Sequence, residues 1–132
     1  YMKNKDMLNE KHVIIGSFSI DSGYKVAKEK IAVDTLPEVY VIANDSMAIG
    51  VLRALHEKGI RVPQDVSLVS INDIPTAKFS IPPLSTVKIY TKLMGSMSVR
   101  LLLEKIENKR EIPITVKIPT KLVVRESVSL KK

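Results

Sequence analysis

The sequence predicts an α/β fold, a parallel sheet with helices on both faces. Three observations carry that expectation. Short apolar or β-branched runs recur along the 132 residues. They are separated by stretches of about 10–15 residues with helical character, the spacing of βαβ units. The five glycines and seven prolines sit mostly at the junctions, which marks one compact unit without a flexible linker.

The elements follow in order. Val13-Ile14-Ile15-Gly16-Ser17-Phe18 is a short apolar run and is expected to be a strand. Asp21 and Ser22 offer helix-start chemistry, so a helix is expected from Gly23 to about Val33, before Pro37. Val39-Tyr40-Val41-Ile42-Ala43 is continuous and β-branched, as in a strand covered on both faces. Asn44-Asp45-Ser46 can cap a second helix running to Lys58, with Gly59 as its stop. Val66 to Ile71 and Leu84 to Ile89 read as strands, the latter after Pro82-Pro83. Tyr90 to Asn108 is the longest helix. Ile114 to Ile118 and Leu122 to Val124 read as short closing strands between prolines.

Two of these helices carry more apolar surface than one sheet face covers. Met47, Ala48, Ile49, Val51, Leu52, Ala54 and Leu55 leave few polar positions on the second, so its Ile49/Leu52 side needs another cover, a homodimer partner being one candidate. The stripe of Tyr90, Leu93, Met94, Met97 and Leu101 on the third is core-like, yet no predicted element is left to cover it.

Composition excludes several classes. The chain has no Cys, so it has neither a disulfide framework nor a thiolate metal site. No apolar run approaches the ~18 residues of a membrane span, and no signal peptide pattern opens the chain. The net charge of +7 is concentrated in residues 86–132, which hold eleven basic and four acidic side chains. Signs alternate there and no aromatics interleave, so the charge reads as a solvated face rather than a nucleic-acid surface. His12 and His56 show no metal-ligand spacing, and Gly-x-Gly-x-x-Gly, P-loop and Gly-x-Ser-x-Gly patterns are absent. Catalysis, a cofactor and a metal are therefore not expected.

In open α/β sheets ligands bind outside the carboxyl ends of the strands. Three expected strands end there in Phe18-Ser19-Ile20-Asp21, Asn44-Asp45 and Asn72-Asp73. Each residue taken alone has a structural role, as cap, turn or core. Their recurrence at one edge points to a small polyhydroxylated or heteroaromatic ligand, gripped by amides and carboxylates and covered by a ring.

The same residues carry a resemblance. Ala43-Asn44-Asp45-Ser46-Met47-Ala48-Ile49-Gly50, followed by Leu52-Arg53-Ala54-Leu55, is similar to the ANDxMAxGxLRAL signature of the lactose/galactose-repressor family. Gly59 to Ser67 resembles its GIRVPxDVS segment, Ser70 to Asp73 its GxDD turn, Pro82 to Val87 its PPLTTV strand and Leu122 to Ser127 its LxxRxS ending. Asp21-Ser22-Gly23-Tyr24 is similar to its SGY helix start. Ser70 stands where the pattern has glycine, and Asn72 where it has aspartate.

The resemblance implies a periplasmic-binding-protein-like fold of type I, here its C-terminal subdomain plus a crossover segment. Residues of about 1–88 and 119–132 would form that subdomain, and about 89–118 would cross to an N-terminal subdomain. The helix-turn-helix headpiece is not among these residues, and Tyr1 is expected to be a truncation point. The implied function is the effector-binding region of a cytoplasmic, bacterial, sugar-responsive repressor. Operator DNA would be met only through the headpiece, and the protein would be a homodimer away from any membrane. The alternative is a sugar-binding protein of a transport system with the same fold. Carried over by position, the effector contacts are Phe18, Asn44, Asn72, Asp73 and Thr91, and the dimer interface is Ile49, Leu52, Arg53 and Phe79.

Overall fold

The structure is a computed structural model, and it describes residues 10, 13–32 and 35–129. Helix α1 (Ile20–Ile31) leads into strand β1 (Val39–Val41), helix α2 (Asp45–Glu57) and strand β2 (Ser67–Asn72). A 3-10 turn (Pro75–Lys78), strand β3 (Ser85–Lys88), helix α3 (Thr91–Glu107) and strand β4 (Lys121–Val123) complete the order.

Among the described residues four strands form one sheet in the order β1-β2-β3-β4. The first three are parallel, with Val39 opposite Ser67 and Val69 opposite Ser85, and β4 joins antiparallel, with Thr86 opposite Val123. The sheet is thus mixed, because the chain returns through α3 and runs back along the β3 edge.

The core sits between α2 and the sheet. Ala48, Leu52, Ala54 and Leu55 of α2 pack with Val66, Leu68, Ala77 and Leu84. Helix α1 lies across α2 rather than directly on the sheet, and two glycines make that approach possible. A Cβ on Gly50 would lie 2.0 Å from the Ile20 carbonyl oxygen, and one on Gly23 would lie 2.2 Å from that of Met47. Helix α1 therefore covers the Met47/Gly50 side of α2, and Ile49 stays half-buried. Leu52, expected at a dimer interface, is 4% exposed within the chain and belongs to the core.

Three local expectations differ. Val13 to Ser17 form no strand, and Ile15 is almost fully exposed, because an apolar run becomes a strand only beside a partner edge. Ile114 to Ile118 form no strand for the same reason. Helix α1 starts earlier than Gly23, since Ser19 is its N-cap and accepts from the Ser22 N–H at 3.1 Å. Val33, the expected end of that helix, lies outside the described residues.

Helix α3 contrasts with all of this. None of its residues is buried, and Leu93, Met94, Val99, Leu102, Leu103 and Ile106 are exposed. The extended stretch after it is similar, with Ile112, Ile114 and Val116 open to solvent. Of the stripe that the sequence left without a partner, Tyr90, Leu93 and Met94 are exposed, and Met97 and Leu101 are half-buried. Among the described residues no helix is long and apolar enough to cross a membrane.

Candidate functional site

The carboxyl ends of β1 and β2, together with the start of α1, collect the residues that can grip a ligand. Asn44 closes β1 and caps α2. Its Oδ1 accepts from the Met47 N–H at 2.8 Å, and its Nδ2 donates to the Phe18 carbonyl at 3.4 Å. That contact brings Phe18 and Asn44 together. Phe18 turns its ring outward, 72% exposed, just ahead of the α1 N-terminus. An aromatic ring of this size left in water beside two helix N-termini is an available stacking surface.

At the end of β2 the chain bends sharply. Asn72 and Asp73 both have positive φ, 122° and 58°. Non-glycine residues adopt this region only when their surroundings enforce it. The Asn72 carbonyl accepts from the Ile89 N–H at 3.4 Å, which ties the bend to the end of β3. The Asn72 carboxamide makes no hydrogen bond among the described residues, so its donors and acceptor are unspent. Thr91 follows on the same edge as the exposed first residue of α3.

Asp73 is occupied differently. Its Oδ1 accepts from Arg125 Nη2 at 2.6 Å and its Oδ2 lies 3.4 Å from Lys88 Nζ, with its side chain only 10% exposed. Burial works to raise its pKa, but the Arg125 and Lys88 cations outweigh that and hold the carboxyl below its ordinary value. Arg125 also donates to the Leu84 carbonyl at 2.7 Å, so the group fastens the chain after β4 to the bend.

Asp45, read from the sequence as a cap or a strand-end ligand contact, has a structural role instead. It is fully buried at the start of α2. Its Oδ1 accepts from the Ser70 hydroxyl at 2.5 Å and the Thr86 hydroxyl at 2.7 Å, and its Oδ2 from the Ile74 N–H at 2.7 Å. The signal in the sequence is the pair of hydroxyl residues inside buried strands, since buried polar groups must find partners. No group of three or more His, Cys, Asp or Glu side chains fit to hold a metal occurs among the described residues.

The remaining interface candidates lie apart from this edge. Ile49 is half-buried against the core. Arg53 is exposed, donates to Glu57 at 3.0 Å and lies 5.4 Å from the centre of the Tyr24 ring. Tyr24 in turn donates to Glu57 at 2.6 Å. These hydrogen bonds, Tyr24 first and Arg53 second, hold the Glu57 carboxyl below its ordinary pKa. Phe79 is 74% exposed. A shallow groove of about 650 Å³, lined among others by His56, Arg61, Gln64, Ile81 and Glu126, opens at the opposite, amino edge of the parallel strands and contains none of the candidate effector contacts.

The fold is shared with known proteins. Residues 1–128 match the model of the periplasmic binding protein-like domain. The transcriptional repressor MelR of Bacillus subtilis (strain 168) is 49% identical over 116 residues, covering 88% of this chain and 33% of MelR. A lactose operon repressor of Rhizobium radiobacter is 43% identical over 107 residues, covering 81% of this chain and 94% of that sequence. Among solved structures, the transcriptional regulator CelR in complex with cellobiose superposes with a TM-score of 0.88 at 33% identity, over 96% of this chain and 39% of CelR. The chain thus spans between a third and two-fifths of the length of MelR and CelR.

Proposed function

We propose, from the premise that the chain belongs to the periplasmic binding protein-like domain family and to its lactose/galactose-repressor branch, that it is the effector-binding part of a sugar-responsive transcriptional repressor. The observation that carries the reading is the pairing of Phe18 and Asn44 beside the Asn72 carboxamide's sheet edge. A ring can cover the apolar face of a sugar, while carboxamides donate to and accept from neighbouring hydroxyls. Asn72 supplies both polarities without a charge, which suits a neutral polyol. Thr91 lies on the same edge and adds a hydroxyl. Asp73 serves by holding the bend in place, since its own oxygens face Arg125 and Lys88.

The DNA-binding headpiece and the first subdomain belong to the rest of the protein. Helix α3 and the stretch after it, residues 89–118, are the part that crosses to that subdomain. Their uncovered apolar side chains support this assignment. A sugar held between the subdomains favours one of their two arrangements, and operator affinity changes with that population. Ile49, Arg53 and Phe79 provide the homodimer surface. Leu52 backs it from the core.

Calorimetric titration of the full-length protein with cellobiose, lactose, galactose and ribose tests the reading. Phe18→Ala and Asn72→Ala should each weaken the tightest of these sugars about tenfold or more, the effect of losing one well-placed contact. Unchanged affinity in both variants refutes the site.

A further inference from the structure

We infer that Asp45 is a positioning residue for effector recognition, acting with Thr86 and Ser70 on the Asn72–Asp73 bend and through it on the Asn72 carboxamide. The inference rests on reading Asn72 as an effector contact.

The geometry begins with strand register. Ser70 of β2 lies opposite Thr86 of β3, so both hydroxyls share one face of the sheet. Asp45 opens α2 directly over them. The carboxylate collects three donors from three segments: Ser70, Thr86 and the Ile74 backbone. Thr86 Oγ1 also accepts from the Asp73 N–H at 3.3 Å. The two backbone N–H groups that follow Asn72 therefore end on Thr86 and on Asp45.

That is the support the bend needs. Two successive residues with positive φ persist only where neighbouring contacts over-determine them. Asp45 is 0% exposed and cannot itself touch a ligand. Its influence passes through the backbone at residues 73 and 74 to the one side chain of the bend left unspent. An amide cannot replace the carboxylate without loss. The Ile74 N–H can only donate, so it claims the single amide oxygen, and the amide's NH₂ group then meets two hydroxyls that had been donating.

A double-mutant cycle on the full-length protein separates positioning from general stability. The probes are cellobiose, lactose, galactose and ribose, followed through the tightest of them. Thr86→Val should weaken binding about tenfold in the parent and less than about twofold in an Asn72→Ala background, because coupled residues do not add. Equal losses in the two backgrounds overturn the inference and leave Asn72 a contact. An Asn72→Ala variant that binds like the parent overturns both readings. Amide hydrogen exchange without any sugar gives an arm independent of the ligand. Thr86→Val should speed exchange at Asp73 and Ile74 by about tenfold or more while the α1 and α2 amides keep their rates. Unchanged exchange at the bend, or equal acceleration everywhere, overturns the inference whether or not a sugar binds.

Discussion

Helices α2 and α3 are built from similar material and end in opposite environments. Helix α2 has 13 residues, seven of them buried. Helix α3 has 17, rich in Leu and Met, and buries none. Intrinsic propensity explains why both are helical, since Leu, Met, Lys, Arg and Glu all favour the conformation. It does not explain burial. That depends on what the chain delivers against the helix, and α2 receives both the sheet and α1 whereas α3 receives neither from the described residues. Apolar content thus reports a need for cover but not where the cover comes from.

The two helices also carry the sharpest test of this contrast, a glycine each. Gly50→Ala should be the most damaging change. Its methyl group would meet backbone, which cannot swing aside as a side-chain tip does. A loss of about 3 kcal/mol or more is expected in denaturant unfolding, the upper range for overpacking. Next comes Leu102→Ala in α3. In these 132 residues alone the exposed Leu102 should contribute less than about 0.5 kcal/mol, but about 2 kcal/mol in the full-length protein if a further subdomain covers it. Equal small effects in both chains would erase the proposed crossover.

A smaller effect concerns pH. The Asp73 carboxyl titrates lower in the folded chain than its unfolded value of about 3.9, so its ion pairs contribute fully above that value and are lost as pH falls through the folded pKa. Acid unfolding profiles should show a shallower acid limb for Asp73→Asn than for the parent. The smallest change is Gly95→Ala in α3. A Cβ there meets nothing within 4 Å, so the alanine should stabilise the helix by about 0.5–1 kcal/mol, read as a higher melting temperature. Opposite signs at Gly50 and Gly95 would express the whole comparison in two substitutions.

What could be read in advance follows the same division. The N-cap at Asn44, the β-branched run entering β1 and the Gly59 stop are local signals, and the elements form where those residues stand. Residues 13–17 and 114–118 carry strand-like apolar residues but acquire no neighbouring edge, which no local pattern encodes. At the candidate site, Asn44 and Asn72 stand at the ends of β1 and β2 as their sequence suggests, whereas Phe18 precedes α1 with no strand before it. The engagement of Asp73 with Arg125 spans 52 residues, and the Asp45–Thr86 contact spans 41. Both depend on register across the sheet, which is settled only by the assembled fold.

Ser127 draws out a consequence of the return path through α3. Fully buried, it donates to the Leu68 carbonyl at 2.7 Å and its Oγ accepts from the Ser85 N–H at 2.8 Å. Its backbone carbonyl accepts from the Leu68 N–H at 2.8 Å. During synthesis β2 and β3 emerge well before this residue, with those backbone groups unpaired. Domains complete folding as their parts leave the ribosome, and contacts of long sequence separation come late. The sheet can therefore lock only after the whole α3 excursion has been translated. A nascent chain stopped anywhere within that excursion would leave the amino ends of β2 and β3 already spelled out but not yet fastened.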